Sequence, residues 1–192
     1  MNRIIRIVLL LFLSASCKIE KRTIEITRKN TKLPVIIRLN KKYQKIIGIK
    51  FPINMDIKNT SSSEQSFIKV NYEYNSIPRE LAYGVSLFKK KKASLIRISN
   101  NQKKGIPSYS SKEYILYTRH FVDSISSIQQ QFKPYINQML TTNKDTLHIG
   151  TVTEFRQKHP RLFQQLTKDD RISIQFLEGK KLGKPISIPV TW

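Results

Sequence analysis

In several stretches between residues 23 and 122 the apolar side chains recur at every second position, and this period of two restricts the fold more than any other feature of the chain. Only a strand turns alternate side chains to one face. Ile24 and Ile26 alternate with polar neighbours, Leu33 to Leu39 is built on Val35-Ile36-Ile37, and Ile46 to Phe51 continues the pattern. Asp56-Ile57-Lys58-Asn59 leads into the polar cluster Thr60-Ser61-Ser62-Ser63-Glu64, a predicted turn. Beyond it Phe67 to Tyr74 alternates again and places Ile68, Val70, Tyr72 and Tyr74 on one face. With Leu81 to Phe88, Ala93 to Ile98 and Glu113 to Val122 the predicted strands number about seven, enough for a two-sheet sandwich.

After Val122 the period lengthens to nearly four: Ile125, Ile128, Phe132, Tyr135, Ile136, Met139 and Leu140 share one helical face. Asp123 or Ser124 is the expected cap, and Pro134 should kink or split the helix by removing a backbone donor. Thr151 and Glu154 form a capping box for a second helix, which His159-Pro160 should interrupt. Ile172, Ile174 and Phe176, then Ile186, Ile188 and Val190, predict a closing hairpin, with Pro189 suggesting an edge position. The strand, Asn-Thr-Ser turn and strand over residues 56–74 resembles a hairpin of bacterial immunoglobulin-like domains. The expected architecture is therefore mainly β: an immunoglobulin-like β-sandwich over residues 23–122, followed by a small α+β part over residues 123–192, with two helices and a final β-hairpin. That second part either packs on the same core or forms its own lobe.

The first residues have a different logic. Arg3 and Arg6 precede the run Ile7-Val8-Leu9-Leu10-Leu11-Phe12-Leu13, which is shorter than the roughly 20 apolar residues a bilayer span needs. Ser14-Ala15-Ser16-Cys17 follows, small residues ahead of the single cysteine in the chain. This resembles the signal peptide and lipobox of bacterial lipoproteins, with Leu13 one place upstream of the commonest leucine position. The resemblance implies cleavage of residues 1–16, lipid on Cys17 and a membrane partner reached through a short tether, residues 17–22. It also accounts for the lone thiol, which has no second cysteine to pair with. Lys18 is not the aspartate of inner-membrane retention, so the resemblance favours the outer membrane, on its periplasmic face.

The formal charge is +22, and the expected cleavage leaves +20. Residues 17–105 hold 21 basic and 6 acidic side chains, while residues 106–192 hold 12 and 7. A bias toward Ile, Lys and Asn explains many lysines but not the shortage of acids. Lys41, Lys42, Lys45 and the run Lys89, Lys90, Lys91, Lys92 are the candidate partner-binding basic patch, the run being expected as a solvated turn.

Catalytic signals are weak. The chain has no nucleophile elbow, phosphate-cradling glycine loop, His-Glu-x-x-His motif or paired cysteines. His120, Asp123 and Ser124 are too close in sequence to converge on one atom readily, and read as a strand end followed by a helix cap. Asp145 and His148 fit a turn and a strand start. Asp169 and Asp170 would point to opposite faces of a strand, so a turn before Ile172 is the better account. Trp192 reads as a core edge. No cofactor or metal is expected. The expectation is a non-enzymatic envelope binding or accessory module, with an immunity-type or secretion-associated lipoprotein as its sharpest form. Its partner would be an acidic protein or an anionic envelope polymer. An envelope enzyme is the alternative, and nucleic acid is disfavoured because export removes the usual substrate.

Overall fold

The computed structural model describes residues 23–74, 85–92 and 94–192; the expected signal peptide, Cys17, the expected tether and the start of the strand expected at Leu81 lie outside them. Two antiparallel sheets face each other. One has the order β1 (Ile24–Lys29), β4 (Pro52–Asn59), β9 (Ser111–Tyr117), β6 (Ser86–Lys91), β7 (Ser94–Ile98). The other has the order β13 (Lys181–Pro189), β12 (Arg171–Glu178), β5 (Gln65–Glu73), β8 (Lys104–Ile106). The period of two works as expected: Ile53, Met55, Ile57, Tyr114 and Leu116 meet Val70, Tyr72, Ile172 and Ile174 in one buried core. Taken in chain order, β1-β4-β9-β6 and β13-β12-β5 have the A-B-E-D and G-F-C order of an immunoglobulin constant-type sandwich, with β7 and β8 added at edges.

The boundary expected at residue 122 does not divide the molecule. The closing hairpin β12–β13 belongs to the sandwich, where β12 pairs with β5 from Arg171↔Glu73 to Phe176↔Phe67. Conversely β2 (Ile36–Asn40) and β3 (Lys45–Lys50), read as sandwich strands, leave it for a third sheet with the order β10 (His120–Phe121), β3, β2, β11 (Thr146–His148). Four helices cover one face of this sheet: α1 (Ser126–Gln130), α2 (Lys133–Thr141), α3 (Val152–Lys158) and α4 (Pro160–Thr167). Ile37, Leu39, Ile46, Ile49 and Phe51 pack there on Phe132, Met139, Phe155 and Phe163 in a second core. The two insertions, between β1 and β4 and between β9 and β12, leave the sandwich at the same end, because Lys29, Pro52, Tyr117 and Arg171 share that end in the strand registers. One lobe therefore forms from two separate stretches of chain.

The junction is made by strands that run on from one sheet to the next. β3 leads into β4 through Phe51, and β9 into β10 through Thr118 and Arg119. At the break the Phe51 amide donates to Thr118 Oγ1 at 2.9 Å while the Thr118 amide donates to the Phe51 carbonyl at 3.0 Å, so no polar group is lost where the ladder changes sheets. Local signals fared variously. Pro134 splits the first helix into α1 and α2, and the Thr151–Glu154 capping box starts α3 as expected. Asp123 is not the cap, which is Ile125; Asp123 Oδ1 accepts instead from the Ile125 amide ahead of α1. In β5 a bulge opposite Gln175 and Phe176 buries Phe67 in place of Ile68. The largely buried Lys104 ammonium donates to the Ile68 and Gln102 carbonyls, both at 2.6 Å, and burial pulls its pKa down to about 8.

Candidate functional site

The lysines read as one patch from the sequence lie at opposite ends of the molecule. Lys41 and Lys42 turn the β2–β3 hairpin and Lys45 opens β3, at the tip of the lobe farthest from the sandwich. Lys41 Nζ donates to the Asn143 carbonyl at 2.8 Å and Lys45 Nζ to the Ser124 carbonyl at 3.1 Å, so both fasten the hairpin to the helical layer. Lys89, Lys90 and Lys91 end β6, with only Lys92 in the turn at φ 53°, at the far end of the sandwich. The run is exposed, as expected, but three of its members are strand residues.

The residues weighed for catalysis meet partners that the sequence did not indicate. His120 is buried beside Asp170, with Nε2 at 3.7 Å from Oδ2. Tyr72 donates its hydroxyl to that same oxygen at 2.8 Å, and the Tyr74 hydroxyl accepts from the Arg119 amide at 2.5 Å. The rings of Phe51, Tyr72 and Tyr74 surround the imidazole, with centroids 5.0 to 5.7 Å away. Burial pushes the His120 pKa down to about 3, against a hydrogen bond with the Leu166 backbone that pulls it up. The imidazole is therefore neutral at physiological pH, and its closeness to Asp170 is a dipolar contact rather than an ion pair. The cluster ties β10, β5 and the start of β12 together where the two cores meet. Asp169 lies in the turn expected before β12, at φ 58°. Trp192 packs edge-on against Phe51 and Phe163, the core-edge role expected of it.

A cationic surface emerges instead from strand register. Ile36↔Lys50 and His148↔Ile36 bring Lys50, Ile36 and His148 into one row across three strands, and Arg119, just ahead of β10 and acting by its charge on Lys50, extends it. The next row holds Phe121, Gly48, Arg38 and Thr146. Both rows lie on the face opposite the helices. None of the eight positions is acidic; Asp123 and Asp145 stand near the hairpin-tip margin. Phe121 is 51% exposed and the neighbouring Ile47 37%, and Gly48, which carries no side chain, stands between Phe121 and Arg38. Lys50 is half-buried, and burial together with the like charges of Arg119, Arg38 and Arg97 lowers its pKa. An ammonium held among guanidinium groups gains from an approaching anion.

Among the described residues, no group of three or more His, Cys, Asp or Glu side chains is placed to hold a metal ion, and no helix is long and apolar enough to cross a membrane. Comparison with protein-family models, with curated proteins and with solved structures finds no match, so the surfaces stand on their own chemistry.

Proposed function

We propose that the protein is a lipid-anchored envelope protein that acts by binding, and that the open face of its third sheet meets an acidic partner, either a protein or an anionic polymer. The carrying observation is the pair of acid-free rows that holds Arg119, Lys50 and Arg38 beside the exposed Phe121 and Ile47. Aromatic and arginine side chains are what interfaces concentrate, whereas scattered surface lysines are depleted from them. With an anchor at Cys17, the start of β1 at Ile24, opposite Asn59 and at the end of the sandwich far from the lobe, would leave the lobe on the side away from the membrane.

The test has two parts. Full-length protein should incorporate palmitate and fractionate with membranes, whereas Cys17→Ser should take up no label and yield an uncut or soluble form; labelling that survives the substitution refutes the anchor. Partners captured from envelope extract at low salt should be released at high salt, because the screening length falls from about 10 Å at 0.1 M to about 3 Å at 1 M. Arg38→Glu with Arg119→Glu should slow association about tenfold or more, whereas Lys90→Glu with Lys91→Glu should change it little. A partner indifferent to salt, or equally sensitive to both pairs, would move the binding surface elsewhere.

A further inference from the structure

A second feature lies on the other side of the junction. A cleft of about 530 Å³ opens between the end of β1 and α3, lined by Arg28, Thr31, Lys32, Thr153, Arg156 and Trp192 among others, with no acidic side chain among its described lining residues. Two of its cations are held in place. Arg28 lies over the Trp192 ring, 5.1 Å from the centroid, and donates to the Thr191 carbonyl; Arg156 donates to the Trp192 carbonyl at 3.1 Å. Each guanidinium carries five N–H groups, so these single bonds fix the group and leave donors over. Arg28 Nε and Trp192 Nε1 are shielded from solvent and have no hydrogen-bond acceptor among the described residues. The third cation, Lys32, is exposed at the rim.

We propose that this cleft binds a small oxyanion ligand, a phosphate ester or a sugar carboxylate. The volume is that of small-molecule sites rather than of a bare ion. Paired guanidinium groups match the planar or tetrahedral oxygens of carboxylate and phosphate, and the threonine hydroxyls suit a polar ligand body. The site is separate from the open sheet face and does not depend on it.

Trp192 is the single tryptophan of the chain, so its fluorescence reports on the cleft directly. The full chain in detergent is titrated at constant ionic strength with inorganic phosphate, with glucuronate and with glucose. A saturable change is expected with phosphate, glucuronate or both, and none with glucose; the stronger anion identifies the headgroup. Arg156 supports the fold as well, so the deciding variant is Lys32→Glu, expected to raise the half-saturating concentration about tenfold. Lys180→Glu, in the β12–β13 turn at the other end of the sandwich, should leave it unchanged. The proposal is overturned if neither anion gives saturation, if glucose does so equally, if Lys32→Glu has no effect, or if Lys180→Glu weakens binding as much.

Discussion

The sandwich and the inserted lobe use their sheets differently. In the sandwich the apolar faces of both sheets close on each other and the order of strands is a common one; the lobe has a single four-stranded sheet, helices on one side and a charged, partly apolar face on the other. The frame satisfies itself, while the insertions carry the surface left over. Extended connections on a regular scaffold are where binding residues concentrate, and here both connections leave one end and build one structure.

Four experiments would break or sharpen this division. The largest effect is expected from Phe51→Ala, which removes a buried ring touching His120, Phe155, Phe163 and Trp192 and should destabilise by about 3–5 kcal/mol. Urea unfolding followed by Trp192 fluorescence and by far-ultraviolet circular dichroism should then give separate transitions, the lobe going first. Coincident transitions would show that frame and lobe are one cooperative unit.

Acid comes next. His120 has an ordinary pKa of 6.5 and a folded pKa of about 3, so below pH 6.5 the unfolded chain binds the proton first. Its contribution is complete above pH 6.5 and declines by about 1.4 kcal/mol per unit as the pH falls toward the folded pKa. Melting temperatures at pH 7 and pH 4 measure the loss, and His120→Leu should flatten it. An equal acid dependence in that variant would assign the effect to other groups.

A smaller change tests the far end of the sandwich. Asn59 is buried; its amide donates to the Ser63, Ile106 and Pro107 carbonyls and its oxygen accepts from the Ser61 amide and hydroxyl. Asn59→Ala should cost about 1–3 kcal/mol without altering binding at the lobe. A change in affinity would mean that the two ends communicate. The smallest effect is expected at Thr151, where Thr151→Ala removes the α3 cap and should cost about 1 kcal/mol, read as faster amide exchange confined to the helices. Faster exchange across the sandwich strands would contradict a local lobe.

What the sequence disclosed follows from the range over which each signal acts. Capping boxes, proline breaks and alternation act within a few residues, so α3, the split at Pro134 and most strands were legible. Of β4 only the stretch from Asp56 to Asn59 was read, as the first arm of a hairpin over residues 56–74, whereas Pro52–Asn59 pairs with β1 and β9 and the strand after the turn, β5, lies in the facing sheet. The basic run at Lys89 drew attention because its members are adjacent. Arg38, Lys50 and Arg119 are scattered along the chain and become neighbours only through pairing register, as Tyr72, His120 and Asp170 do through the meeting of two cores. The bulge that buries Phe67 instead of Ile68 depends likewise on a partner strand distant in sequence.

The strand order also sets a timetable. β9 lies between β4 and β6, and β12 between β5 and β13, so in each sheet an inner position is filled by a strand that emerges long after its neighbour. Glu73 waits for Arg171, and Pro52 for Tyr117. A chain delivered from its N-terminus holds β4 and β5 with open edges until most of its length has arrived, and open edges invite pairing with other chains. Such long-range closure is slow. The protein thus reaches its native state late, and whatever handles it before β12 arrives must keep those edges apart.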